Sequence, residues 1–382
     1  MPQDSPDQLT DRARLVHREI VQLVLLMAVA GAAFFLTRSF ALSNRAMSAD
    51  DAAEWYARGQ REMNAGSVER AIDAFRRATI KKRGERTYAL ALARALATAR
   101  QDDAAVSALL ALRESSPEDV DVNIQLARLA AARQDVTAAV RYYDSALYSP
   151  WPSDQTDDRR RLRLELIRFL LTHEQTRRAL SELLAVSGNL PDYRAANLEI
   201  AHLFAQAGDA RSALNHFTRA LRFDPDDAEA RAGAGESAFT LGDFTLARRY
   251  LRGLPATAGS VGDMQQIAEL VISNDPLADR LSAADRQQRL REDFEYARQR
   301  LTMCAEPQPR GTVSGSQTAL RHEADAFAGR LRPPAIRESA TVDAGVDLVY
   351  RIEREIAANC QPSTPMDRAL ILIARRHGAA DR

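Results

Sequence analysis

The chain offers few residues in patterns that could carry out chemistry by themselves. Its six histidines do not follow metal-ligand spacing, and its adjacent acids, such as Asp102–Asp103 and Asp226–Asp227, fall at predicted turns where they start helices. The sequence contains no nucleotide-binding glycine loop, no nucleophile elbow and no zinc-protease motif. We therefore expect no enzyme activity, no metal and no cofactor. An enzyme whose chemistry lies in the C-terminal region is the weaker alternative.

Two cysteines, Cys304 and Cys360, are the only thiols of the chain. Each comes at the end of a predicted helix and shortly before a proline. A disulfide between them would tie the C-terminal region to the preceding helices, and would suit a compartment outside the cytoplasm. Two unpaired, buried thiols are the alternative that the sequence leaves open. No CxxC or CxxCH spacing occurs, so neither redox catalysis nor covalent haem attachment is predicted.

The charge balance excludes one class of partner. Basic and acidic residues both number 52, so the formal net charge is zero. A general nucleic-acid binder needs a basic surplus to displace counterions, and we therefore expect no nucleic-acid partner. Hydrophobic residues make up 46% of the chain, which suits a globular core, and the dominant residues are strong helix formers. The composition predicts an all-α protein.

Alanines recur at nearly constant spacing through the middle of the chain. They are Ala71, Ala105, Ala139, Ala179, Ala213 and Ala247, with gaps of 34 residues and a single gap of 40. A bulky apolar residue follows each alanine by four positions, which places the two on one face of a helix. Twelve positions before each alanine is a second, mostly small column: Gly59, Ala93, Ala127, Ile167, Ala201 and Gly235. Such columns let two helices of a unit pack closely.

A helix–turn–helix unit of this length, with these columns, resembles the tetratricopeptide repeat family, in a membrane-anchored bacterial form. The resemblance covers about Ala52 to Gly259, in six units. It implies an all-α fold, an α-solenoid in which each hairpin buries its apolar face against its neighbours and the ends need caps. We expect Gly262–Asn274 and Ser282–Met303 to be the capping helices.

The resemblance also implies that the first helix of each unit lines a concave, peptide-binding surface. The residue after each member of the small column would point into it, which selects Gln60, Arg94, Arg128, Arg168, His202 and Glu236. Further candidates for this face are Tyr56, Asn64, Leu90, Thr98, Ile124, Leu164, Leu198, Gln206 and Phe239. Guanidinium groups pair with carboxylates through two parallel hydrogen bonds. One interpretation is therefore a groove for an acidic protein or peptide segment. The other is that an arginine-rich chain places arginines on any solvated face.

An apolar stretch precedes the repeats. Ile20 to Leu36 is uncharged for 17 residues, which is close to the length that spans a bilayer. We expect a transmembrane anchor at residues 20–37 and a single-pass membrane protein. The flanking arginines slightly favour a cytoplasmic N terminus, so the rest of the chain would be periplasmic or otherwise extracytoplasmic. A cleaved signal peptide and a buried soluble helix are the alternatives.

These predictions divide the chain into six parts. They are an N-terminal tail at 1–19, the anchor at 20–37, the solenoid at 50–260, capping helices at 261–304, a linker at 305–316 and a helical C-terminal region at 317–382. The function they favour is a membrane-anchored scaffold that binds protein or peptide segments in its groove and assembles an envelope complex. An accessory subunit of envelope biogenesis, in outer-membrane protein insertion, secretion or cytochrome maturation, is the alternative.

Overall fold

The computed structural model describes residues 6–255, 260–305 and 315–378. Parts of the chain at 1–5, 256–259, 306–314 and 379–382 lie outside the described residues, and they include most of the predicted linker. All regular secondary structure of the described residues is helical, which confirms the predicted all-α solenoid class. The chain divides into two compact units, Met1–Leu166 and Ile167–Arg382.

The first unit contains three helix hairpins. Helix α1 (Pro6–Asn64) pairs with α2 (Val68–Lys81), α3 (Arg86–Thr98) with α4 (Asp102–Ser115), and α5 (Val120–Ala132) with α6 (Val136–Tyr148). Successive hairpins also contact each other, α2 with α3 and α4 with α5. Each apolar face is therefore covered by the next hairpin, as stacked repeats require. Helix α1 is continuous, so the residues predicted as tail and anchor run without a break into the first hairpin.

The division between the units falls within α7 (Thr156–Thr172), which is followed by α8 (Thr176–Ser187). In the second unit α9 (Arg194–Gln206) pairs with α10 (Ala210–Ala220), and α11 (Ala228–Thr240) pairs with α12 (Phe244–Leu251). The later helices are α13 (Ser260–Asn274), α14 (Ala283–Ala305), α15 (Gly315–Ala328), α16 (Ser339–Asn359) and α17 (Pro365–Gly378).

The two residue columns form the packing seam of the hairpins. All six alanines of the 34-residue column are 0% exposed. A side-chain carbon added to Gly59 would lie 2.5 Å from a ring carbon of Phe75, and one added to Gly235 would overlap Leu251. Phe75 and Leu251 are the bulky residues that follow two of the alanines by four positions. Small residues are therefore required where the first helix of a hairpin crosses the bulky side chain of the second.

Six turns between consecutive helices of the repeats pass through a left-handed backbone conformation at the same point, five positions before the column alanine. Gly66, Gly208 and Gly242 occupy this point at φ 74°, 79° and 77°, and Arg100, Gln134 and Glu174 occupy it at φ 61°, 61° and 57°. In this conformation the Cβ of a residue crowds the following carbonyl oxygen, which costs about 1–2 kcal/mol of conformational free energy. Hairpin packing therefore overrides local backbone preference at three of these turns.

In the second unit the C-terminal helices share one core with the last hairpin. The buried cluster runs from Phe244 on α12, through Ile267 and Leu290, to Ile373 on α17. Helix α17 packs on α13 and α16, and α16 also packs on α14. A disulfide between Cys304 and Cys360 joins the end of α14 to the end of α16. The apolar C-terminal helix is thus part of the core of this unit.

The membrane prediction is wrong. Among the helices of the described residues, none has a stretch that is both long and apolar enough to cross a bilayer. This finding contradicts the predicted anchor at residues 20–37 and the predicted single-pass location. The uncharged stretch has 17 residues, at the lower limit for a membrane-spanning helix, and it includes Gln22 and a run of four small residues at 30–33.

Candidate functional site

A concave pocket of about 530 Å³ lies on the first-helix side of the first unit. Five of the predicted groove residues line it: Tyr56, Gln60, Asn64, Leu90 and Arg94. Helices α1 and α3 supply most of the lining, because the same columns that pack these helices on α2 and α4 turn the following residues outward. Met63, Phe75, Arg86 and Asp121 are among the other residues of its walls.

The pocket has an aromatic side. The ring of Tyr56 lies 5.0 Å from the ring of Tyr88 and 5.7 Å from that of Phe75, measured between centroids. The amide nitrogen of Gln60 donates a hydrogen bond to the Tyr56 hydroxyl at 3.0 Å. Aromatic contacts of this kind limit the movement of the ring. The pocket therefore offers a fixed apolar wall with an amide beside it.

Two arginines form the charged side of the pocket. Arg86 donates to both Asp119 and Asp121 at 2.7 Å, and Arg94 donates to Asp121 at 3.0 Å. The buried carboxylate of Asp119 also accepts from the backbone N–H of Val122 and so caps α5. The hydrogen bond from Arg86 lowers the pKa of Asp119. Arg86, Arg94 and Asp121 are all about half exposed, but Arg86 is held by two carboxylates and Arg94 by one.

The next predicted groove arginine, Arg128, makes the same kind of contact. Its Nε and Nη2 atoms donate to the two oxygens of Glu165 on α7, each at 2.8 Å. The hydroxyl of Tyr143 donates to the same carboxylate at 2.8 Å. The hydrogen bond with Glu165 raises the pKa of Arg128. A first-helix arginine thus binds an acid on the first helix of the following hairpin.

The second unit repeats this arrangement. Arg168 pairs with Glu199 on α9, and Nε2 of His202 lies 2.9 Å from a carboxylate oxygen of Glu229 on α11. Glu236 is exposed on α11, and its carboxylate has no ion-pair partner among the described residues. The predicted groove residues are therefore accessible, but their basic members already have carboxylate partners.

These acids are not among the residues predicted from the sequence, although the sequence contains a signal for them. Asp121 and Glu229 stand seven positions before the groove residue of their own repeat, and Glu165 and Glu199 stand three positions before it. Three and seven residues are about one and two helical turns, so these acids share the face of the groove residues. Met63 and Arg86 were also missed. Among the described residues no group of three or more potential ligands is placed to hold a metal.

Sequence models described as Tetratricopeptide repeat match residues 204–269, and residues 56–119 and 90–155. No match was found among curated proteins. The chain thus has repeat-family matches in both of its compact units.

Several solved structures match part or most of the chain at low identity. YrrB, a TPR protein with an unusual peptide-binding site, is 18% identical, with a TM-score of 0.38 over 47% of this chain and 90% of that chain. A tetratricopeptide repeat protein from Parabacteroides merdae is 12% identical, with a TM-score of 0.39 over 72% and 99%. A thermophilic TPR protein from Thermus thermophilus is 19% identical, with a TM-score of 0.30 over 49% and 98%.

Proposed function

Because the chain belongs to the tetratricopeptide repeat family, we propose that it is a scaffold that binds segments of other proteins on the first helices of its hairpins. The observation that carries this proposal is the pocket of the first unit, which gathers Tyr56, Gln60, Asn64 and Arg94 around one concavity. The role is binding without catalysis. The envelope role depended on the predicted anchor, so it is not part of the proposal.

The lining favours an extended segment that carries both an apolar side chain and a carboxylate. The aromatic wall of Tyr56 and the side chains of Met63 and Leu90 take the apolar group. Arg94 takes the carboxylate in place of Asp121. Both members of that pair are about half exposed, and such pairs contribute only about 0–1 kcal/mol. A ligand carboxylate therefore replaces Asp121 at little cost.

The test uses the full chain and a displayed library of random peptides. Peptides enriched on the wild-type protein are synthesised, and their affinities are measured by fluorescence anisotropy. We expect the combined variant Arg94→Glu, Arg128→Glu and Arg168→Glu to weaken binding of the enriched peptides by about tenfold or more, since Arg94, which lines the pocket, and two further first-helix arginines become anions. Circular dichroism at 222 nm checks that helicity is retained.

The matched control changes three exposed arginines on second helices. In it Arg76, Arg177 and Arg249 are replaced by glutamate, which gives the same change in net charge away from the first helices. We expect this variant to bind the enriched peptides as the wild type does. Equal binding by the groove variant, with its helicity intact, contradicts the proposal.

A further inference from the structure

A second concave site lies wholly within the second unit, between the last hairpin and the C-terminal helices. Its apolar part is a cleft of about 610 Å³. The cleft is walled by Phe239 of α11, Met264 and Ile267 of α13, and Ile371 and Leu372 of α17. A cleft of this size accepts one or two bulky apolar side chains.

A more polar cleft of about 600 Å³ adjoins it, along the turn between α11 and α12. The two clefts share three residues: Phe239, Leu372 and Arg375. They are therefore two parts of one site, and we call this site the C-terminal cleft. Arg375 stands between the apolar part and the part that is lined by the turn at Leu241–Asp243.

The C-terminal cleft has two arginines, of which one is ion-paired and the other is not. Arg375 is exposed and has no ion-pair partner among the described residues. Arg368, two turns earlier on the same helix, lies 3.5 Å from Asp263, and both of these side chains are about half exposed. Asp243 accepts the backbone N–H of Leu246 and so caps α12. The cleft thus presents an uncompensated guanidinium beside an apolar floor.

From this complementarity we propose that the C-terminal cleft binds a protein segment in which a bulky apolar side chain is flanked by a carboxylate. The apolar side chain enters between Phe239 and Leu372, and the carboxylate pairs with Arg375. The inference rests on the proposed function, because it adds a second place where a partner segment binds. It differs from the pocket of the first unit in its residues and in the free charge of its arginine.

The site depends on the C-terminal helices, which are not part of the repeats. Helix α17 supplies four residues of the cleft: Arg368, Ile371, Leu372 and Arg375. Gln361, which also lines it, directly follows Cys360, and the disulfide ties that position to Cys304 on α14. The packing of α17 on α13 and α16 is therefore what creates the binding surface.

The test measures a labelled probe peptide on the full chain by fluorescence anisotropy. The probe is a short glycine–serine peptide with a central leucine–phenylalanine pair and a glutamate on each side. Its two controls replace the pair by alanines or the glutamates by glutamines. We expect Arg375→Gln and Phe239→Ala each to weaken probe binding by about tenfold or more, and both control peptides to bind more weakly than the probe.

Arg321→Gln, an exposed arginine change on α15, is the matched control and should leave the affinity unchanged. If thermal unfolding shows that Phe239→Ala is unfolded, Leu372→Gln is used in its place as the variant of the apolar part. The inference is overturned if the probe does not bind or if Arg375→Gln binds it normally. It is also overturned if laurate, a fatty acid with an apolar chain and one carboxylate, displaces the labelled probe as well as the unlabelled probe does, because the cleft would then not be specific for a protein segment. If the combined variant Arg94→Glu, Arg128→Glu and Arg168→Glu still weakens binding of the library-selected peptides in any of these cases, only this inference fails and the proposed function stands.

Discussion

The guanidinium of Arg94 lies 3.0 Å from a carboxylate oxygen of Asp121, on the first helix of the next hairpin. Arg128 and Glu165 repeat this relationship one hairpin further along. The predicted groove arginines of the first unit are therefore half-exposed members of ion pairs between repeats. Such pairs are weak in water, so they hold the arginines in place without preventing exchange with a ligand.

This pairing leads to a first prediction, for Asp121→Asn. The change removes the carboxylate that competes for Arg94, so we expect acidic library-selected peptides to bind about two- to fivefold more tightly. Fluorescence anisotropy measures the change. Asp103→Asn removes an acid of the second helix α4, which pairs with Arg133 at the end of α5, and it should have no effect. Unchanged or weaker binding by Asp121→Asn would show that ligand carboxylates do not use Arg94.

The second prediction concerns the turn residues with left-handed backbone. Replacing Arg100, Gln134 or Glu174 by glycine relieves the steric cost of their positive φ, so we expect each change to raise the free energy of unfolding by about 0.5–1 kcal/mol. Urea denaturation measures it. Ala99→Gly, at φ −77° beside the first of these turns, gains no such relief and should not stabilise. A loss of stability in all three variants would contradict the strain at these turns.

The third prediction concerns the helix crossing at Gly59. In Gly59→Ala the added carbon meets the ring of Phe75, and we expect a loss of about 1–3 kcal/mol although alanine favours helix. Gly31→Ala is the control, because a side-chain carbon there has nothing within 4 Å. Adding Phe75→Leu to Gly59→Ala should recover part of the loss. If Gly59→Ala is as stable as Gly31→Ala, the crossing is looser than the distances indicate.

The fourth prediction concerns pH. Burial, together with repulsion from Glu292, Asp275 and Glu353, raises the pKa of Asp293 from 3.8 to about 8. The folded protein thus keeps a proton that the unfolded chain releases near pH 4. Protonation of Asp293 therefore makes its whole contribution to stability below about pH 4, and that contribution is lost as the pH rises through about 8.

We therefore expect Asp293→Asn to be more stable than the wild type at pH 8, by on the order of 2 kcal/mol, with the difference narrowing as the pH falls towards 4. Thermal unfolding at a series of pH values measures this. Asp279→Asn, at an exposed position, should show no such pH-dependent difference. If the difference in stability between the wild type and Asp293→Asn stayed constant from pH 4 to pH 8, it would contradict the raised pKa.

The fifth prediction concerns the disulfide. The bond between Cys304 and Cys360 closes a loop across 56 positions, so replacing both cysteines by serine should lower the free energy of unfolding by about 2–4 kcal/mol. Denaturation with and without a reductant measures this. The reductant should destabilise the wild type and leave the double variant unchanged. A wild type that is insensitive to complete reduction would show that the packing of α14 and α16 is sufficient without the bond.

The sequence by itself determined the repeat and its seam. The six buried alanines and the small residues at Gly59 and Gly235 are spaced by helix geometry, and packing within a hairpin involves residues close in sequence. The resemblance to the repeat family, applied to these columns, selected the exposed face and with it Tyr56 and Arg94. It did not establish a membrane anchor, because a short uncharged run does not by itself distinguish a bilayer from other surroundings.

Only the tertiary structure decided which charges meet and where the C-terminal helices pack. Asp121 and Glu165 lie 27 and 37 positions beyond the arginines that they bind, and His377 lies 102 positions from Asp275. Helix α17 contributes Arg375 to the C-terminal cleft because it packs on α13 and α16. Long-range ion pairs and clefts depend on how whole helices are placed, and an amphipathic pattern shows that a helix has a partner without showing which partner it is.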